Sequence, residues 1–182
     1  MPDNPEKAYR PLLEAVSFAA RAHEGQMRKD GRTPYVSHPF RVCLVLVEVF
    51  RIADRAALIA GLLHDVLEDT TTDFDDLAER FGVETASWAA ALSKDKRLPE
   101  HEREDAYLRQ LAAAPWQVKV CKMADVFDNL LDSPSTSREQ QARTLRNARC
   151  YLKALETGLP SQAQTAWQTV NDLLVAVESR AV

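Results

Sequence analysis

The octet Ala56-Ala57-Leu58-Ile59-Ala60-Gly61-Leu62-Leu63 carries no polar side chain and runs straight into His64-Asp65-Val66-Leu67-Glu68-Asp69. An apolar run without alternation reads as a helix that is hydrophobic nearly all round, and therefore central. The stronger constraint is the hexad at its end, because His64, Asp65, Glu68 and Asp69 put one imidazole and three carboxylates at the edge of the core. On a helix, residues four apart share a face, so His64 stacks over Glu68 and Asp65 over Asp69. Uncompensated buried charge is costly, and a bound divalent cation would compensate it. The segment reads as half of a metal site with acid/base groups beside it.

The rest of the chain is written in the same language. Only 5 glycines occur in 182 residues, Ala and Leu are abundant, and no stretch alternates as a half-buried strand does. The expectation is an all-α fold, a single helical bundle spanning residues 1–182, with a core over about 8–156 and a C-terminal helix over about 161–179. The first helix runs from about Pro5 to Glu24, with Leu12, Val16, Ala19, Ala20 and His23 at helical spacing and Gly25 as its stop. Arg28 to Pro34 is a polar loop, and His38-Pro39 opens a second helix that continues to about Phe50. Ala53 to Glu68 is the central helix. Further helices span about Asp73–Phe81, closed by Gly82, then Val83–Leu92 and Glu102–Ala113. Pro115 restarts the chain, with Val120, Ala124, Phe127 and Leu131 marking a buried face, and the last two helices cover about Thr136–Glu156 and Ser161–Ser179.

Charge and composition exclude several classes. A net charge of −4 argues against a broad grip on nucleic acid, so phosphate recognition has to be local. No apolar stretch approaches the roughly 18 residues of a membrane span. Cys43, Cys121 and Cys150 are widely spaced in apolar surroundings and read as reduced core cysteines. Met1-Pro2-Asp3-Asn4-Pro5 lacks the basic and apolar regions of a leader. A cytoplasmic protein acting on a small molecule is expected, and the sequence leaves its oligomeric state open.

Two further segments complete the candidate site. His38 begins a helix just after the basic loop, and Asp125 lies beside an apolar face, four residues before Asn129. If their helices pack together, His38, His64, Asp65 and Asp125 converge as two imidazoles and two carboxylates. That mixed donor set suits Mn²⁺, Fe²⁺ or Zn²⁺, which can bring the pKa of a bound water towards about 7. His38, then His64-Asp65, then Asp125 resembles the metal-ligand order of the HD-domain phosphohydrolases. The blocks His23–Gly31, Pro34–Pro39, Leu62–Thr70 and Lys122–Asn129 are similar to the hydrolase domain of RelA/SpoT enzymes. Lys94–Pro99 and Arg103 look more like its small stand-alone members, such as the metazoan SpoT homologue. The resemblance implies a single HD domain and a Mn²⁺-dependent hydrolase that removes the 3′-pyrophosphate of ppGpp and pppGpp. It implies His38, His64, Asp65 and Asp125 as metal ligands, with Glu68 and Asp69 as the acid/base pair acting on water. It also implies Arg28, Lys29 and Asn129 as substrate contacts, the two cations offsetting the pyrophosphate charge.

The chain also departs from that family's pattern. Where the family reads A-D-[RK]-x-[HY]-N, this sequence has Ala124-Asp125-Val126-Phe127-Asp128-Asn129. Val126, Asp128 and Leu131 thus lower the positive charge expected near the substrate. Two alternatives stay open: an HD-domain phosphatase releasing orthophosphate from another nucleotide or a nicotinamide cofactor, and a non-catalytic nucleotide sensor. Intact Glu68 and Asp69 argue against the sensor. Among the remaining side chains, His23 reads as a helix cap and Trp88, Trp116 and Trp167 as packing residues. Tyr35 would anchor its loop or pack under a base, and Asp95, Lys96 and Arg103 would form a pocket rim or a solvated loop.

Overall fold

The computed structural model describes residues 5–181; Met1–Asn4, most of the segment searched for a leader, and Val182 lie outside the described residues. The fold is all-α. Helix α1 (Pro5–Ala22) is followed by α2 (Ser37–Leu44), which continues as a π-helical segment over Val45–Val49. Then come α3 (Arg55–Leu63), α4 (Val66–Asp69), α5 (Phe74–Phe81), α6 (Val83–Leu92) and α7 (Glu100–Ala113). Helix α8 (Trp116–Asp132) ends in a 3₁₀ turn, and α9 (Arg138–Leu155) and α10 (Ser161–Ala181) complete the chain. The loop before α2 carries one isolated antiparallel bridge, Met27 to Pro34.

Helix α3 is central, as its composition requires. Ala57, Leu58 and Ala60 enter a hydrophobic cluster shared with α8, α9 and α10. Ile59, Leu62 and Leu63 enter a second cluster with α1, α5 and α6. Burying a leucine such as Leu62 or Leu63 stabilises by roughly 1.5–3 kcal/mol, and α3 does so on both sides. Gly61 allows the close approach to the π-helical segment, since a Cβ there would lie 2.7 Å from Leu46 Cδ1. At its start, Asp54 accepts a hydrogen bond from the Ala57 N–H at 3.1 Å, a cap worth about 1 kcal/mol.

The structure corrects several expectations. The central helix is not continuous from Ala53 to Glu68: it stops at Leu63, turns through His64 and Asp65, and resumes as α4. Asp65 sits at φ −100°, ψ −7°, so its side chain leaves the regular helical track. The buried surface of α8 is broader than one stripe and excludes Leu131, which is 49% exposed. Helix α1 buries Ala15 and Ala19 while Ala20 faces solvent, because its neighbours lie on one side only. Of the cysteines, Cys121 is buried, Cys43 half-buried and Cys150 exposed. The three tryptophans pack into or against the larger cluster. No helix among the described residues is long and apolar enough to cross a membrane.

Candidate metal centre

Three elements meet where the sequence placed its histidines and aspartates. His38 is the second residue of α2, His64 caps the end of α3, and Asp125 faces inward midway along α8. His38 and His64 are both almost fully buried, at 2% and 3% exposure. His38, His64 and Asp65 each present one donor atom within 4.8 Å of the other two. Asp125 Oδ1 adds a fourth, 3.1 Å from His38 Nε2 and 3.9 Å from His64 Nε2.

The ring nitrogens have distinct duties. Nδ1 of His64 lies 2.8 Å from the Gly61 carbonyl, an N–H donor on that side, which turns Nε2 towards the centre. There Nε2 lies 2.9 Å from Asp65 Oδ2, but out of hydrogen-bonding line, so it is a buried polar atom without a hydrogen-bond partner. Such orphaned atoms are rare, and two imidazole nitrogens with two carboxylates around one point form a suitable donor set for a divalent cation. The residues fit the metal that the sequence implied.

In the metal-free protein, protons and hydrogen bonds balance these charges. Burial opposes a charge on His38, yet its hydrogen bonds to Asp125 and Asp128 and the nearby carboxylates outweigh it and raise the imidazole to about 9. Burial likewise works against ionised Asp65 and Asp125, but His64 and His38 hold Asp65 below the usual carboxylate range. Lys122, 2.7 Å from Asp125 Oδ2, is the main group that holds Asp125 well below that range. The Tyr35 hydroxyl donates to Asp65 Oδ2 at 2.5 Å, so this tyrosine anchors a donor group. Asn129 Nδ2 donates to Asp125 Oδ1 at 2.5 Å.

A cavity of 270 Å³ opens over the centre, and its wall contains His38, Asp65, Asp125, Glu68, Asp69, Arg28, Lys29 and Asn129. Every site residue named from the sequence is there except His64, which lies beneath it. Glu68 and Asp69 are held by the loop between α6 and α7: the Lys94 N–H donates to Glu68 Oε2 at 3.0 Å, and Lys96 Nζ lies 3.3 Å from Asp69 Oδ1. Lys96 also donates to the Glu68 carbonyl, while Arg103 props the loop through the Leu98 carbonyl at 3.0 Å. Asp95 instead pairs with Arg97. His23 is buried and lies 2.9 Å from Gln26 Oε1.

The two basic residues before α2 differ. Arg28 is committed to protein carboxylates, 2.7 Å from Asp132 Oδ2 and 3.7 Å from Asp128 Oδ2. Lys29 is left to face the cavity, and burial, then Arg143, then Arg28 lower its pKa. A second cavity of 460 Å³ adjoins the first, sharing Lys29, Lys94, Lys122 and Asn129 and adding Arg143 and Tyr151 from α9. Lys122 lies 4.5 Å from the centre of the Tyr151 ring. Sequence reasoning missed Arg143 and Tyr151, which no motif marks, and Lys122, whose spacing three before Asp125 was the available signal. Asp128, read as part of a lowered positive charge near the substrate, is 1% exposed and lies behind His38, 2.7 Å from its Nδ1 and 3.7 Å from the cavity residue Arg28, while Val126 lines the second cavity.

The HD domain family model matches residues 15–150. The human guanosine-3′,5′-bis(diphosphate) 3′-pyrophosphohydrolase MESH1 is 40% identical over 122 residues, covering 66% of this chain and 68% of that one. The bifunctional (p)ppGpp synthase/hydrolase SpoT of Escherichia coli K12 is 32% identical over 148 residues, covering 78% of this chain and 21% of its own length. Among solved structures, a metazoan ortholog of SpoT that hydrolyses ppGpp superimposes with a TM-score of 0.77 at 28% identity, covering 89% of this chain and 94% of that one.

Proposed function

This chain belongs to the HD-domain family, together with the MESH1 pyrophosphohydrolases, and from that membership we propose that it hydrolyses the 3′-pyrophosphate of ppGpp and pppGpp to give GDP or GTP and pyrophosphate. The observation that carries the reading is the convergence of His38, His64, Asp65 and Asp125 beneath a cavity walled by Glu68, Asp69 and Lys29. We assign the first four as ligands of a divalent cation, a donor set that suits Mn²⁺, Fe²⁺ or Zn²⁺, and take Mn²⁺ as the metal because the family resemblance implies it. When bound, a divalent cation supplies Lewis acidity towards phosphoryl oxygens and makes water nucleophilic near neutral pH.

The protein's own groups do the rest. Glu68 and Asp69 stand beside the ligand Asp65 on the cavity wall, where a carboxylate can orient an attacking water and accept its proton. The backbone of Lys94 fixes the Glu68 carboxylate, so this acceptor is positioned before substrate arrives. Lys29 meets the pyrophosphate as a mobile point charge. Arg28, tied to Asp132, acts on substrate through a fixed edge of its guanidinium. Asn129 holds Asp125 and reaches the same cavity, and Arg143 adds a cation in the second one, where Lys94 is paired with Glu104 and Lys122 with Asp125. This local cluster reconciles a polyanionic substrate with a net charge of −4. With three free thiols among the described residues, the cytoplasm is the assigned compartment.

The test is hydrolysis of ppGpp in ¹⁸O-water, with products separated and weighed. Attack at the phosphorus of the 3′ ester gives GDP and pyrophosphate bearing one ¹⁸O. Release of orthophosphate would contradict the proposal and favour a phosphatase acting on other nucleotides.

A further inference from the structure

Asp128 is a buried carboxylate in contact with His38 to which the proposed reaction gives no role. It lines neither cavity and is buried to 1% exposure. Its Oδ2 lies 2.7 Å from His38 Nδ1, and its Oδ1 lies 2.6 Å from Arg41 Nε. Arg41 and Arg28 both continue to Asp132, at 2.8 and 2.7 Å. We propose that Asp128 is the positioning residue for His38: it holds the proton on Nδ1 and turns Nε2 towards the metal site. This rests on the reading of His38 as a ligand.

The physical argument starts from burial. A carboxylate removed from water needs compensation, and Arg41, still 38% exposed, could have paired at the surface. Placing Asp128 inside serves the imidazole, whose Nε2 is then directed at Asp125 Oδ1, 3.1 Å away. The two candidate imidazoles are supported differently. His64 has only the neutral Gly61 carbonyl on its Nδ1, whereas His38 has a charged acceptor. A carboxylate fixes both tautomer and ring plane and makes the ligating nitrogen more basic. Arg41 and Arg28 balance the charge of Asp128 as ion pairs, at 2.6 Å from Oδ1 and 3.7 Å from Oδ2, although Oδ1 has no hydrogen-bond partner.

Calorimetric titration of the metal-free protein with Mn²⁺ alone, without nucleotide, tests this in the wild type, Asp128→Asn and Asp128→Ala. The dissociation constant should rise about 10–100-fold, less for Asn, whose amide oxygen still accepts from Nδ1–H, than for Ala. Folded variants that bind Mn²⁺ as tightly as the wild type would overturn the proposal alone. A wild type that binds no Mn²⁺ would overturn the metal reading with it. Should neither variant fold, nitrogen-resolved imidazole spectra of the wild type loaded with Zn²⁺ decide. Nε2 ligation with the proton on Nδ1 supports the proposal, and Nδ1 ligation overturns it.

Discussion

At the scale of single residues, the centre separates groups that bind from groups that react. Asp65 is held by Tyr35 and faces both imidazoles, so Asp65→Ala should abolish stoichiometric Mn²⁺ uptake in calorimetry and lower turnover by at least about 100-fold. On the proposed assignment Glu68 is not a ligand, so Glu68→Gln should leave Mn²⁺ binding intact while kcat falls about 10²–10⁴-fold. Equal loss of metal and turnover in that variant would contradict the assignment. Lys29→Ala should raise KM more than it lowers kcat, because Lys29 meets substrate charge rather than the reacting water. Of the residues proposed for the centre, His64, Asp65, Glu68 and Asp69 stood out by their spacing, whereas His38 and Asp125 were tied to them by the family resemblance. Asp128 was legible as a departure but not as a function. Asp125, Asp128, Asn129 and Asp132 lie at i, i+3, i+4 and i+7, one stripe of a helix. Which of them turns to the cavity and which to His38 depends on how α8 is rotated against α2, and a single sequence does not encode that directly.

At the scale of elements, the site depends on a helix that ends early. Interrupting the run at His64 and Asp65 lets both side chains reach one point, whereas a continuous helix would set neighbouring residues about 100° apart. Sequence reading extended the helix because no Gly or Pro marks the break. Packing of α3 against the π-helical segment is equally tight. Gly61→Ala would push a methyl against Leu46 in a fully buried layer, and should destabilise the protein by about 1–3 kcal/mol, read as a lower midpoint in thermal unfolding. An unchanged midpoint would show that Leu46 moves aside freely. The loop between α6 and α7 read as a pocket rim or a solvated loop, and it borders the cavity: the Lys94 N–H holds Glu68 and the Lys96 ammonium lies beside Asp69.

At the scale of the whole molecule, the bundle builds a strongly charged buried centre inside an ordinary hydrophobic core. Without metal, that centre relies on protonated His38. Its folded pKa of about 9 lies above the ordinary value near 6.5, so the protonated imidazole's contribution is fully present below about pH 6.5. It is lost as pH rises through 9, an effect of about 3 kcal/mol. Denaturant unfolding of the metal-stripped protein should therefore show stability declining from about pH 6.5 to 9, and Mn²⁺ affinity, which competes with the same proton, should rise across that window. A flat profile would contradict the charge state assigned to His38. The all-α class and the order of helices came out of composition and periodicity. How three distant segments close on one point came out of neither, and here the family resemblance of His38, His64-Asp65 and Asp125 supplied the constraint. The most direct test of the centre is ppGpp turnover by metal-stripped protein, by the same protein given Mn²⁺ back, and by His64→Ala with Mn²⁺. GDP and pyrophosphate should form only in the second case; equal product in all three would contradict a metal-dependent centre built on these residues.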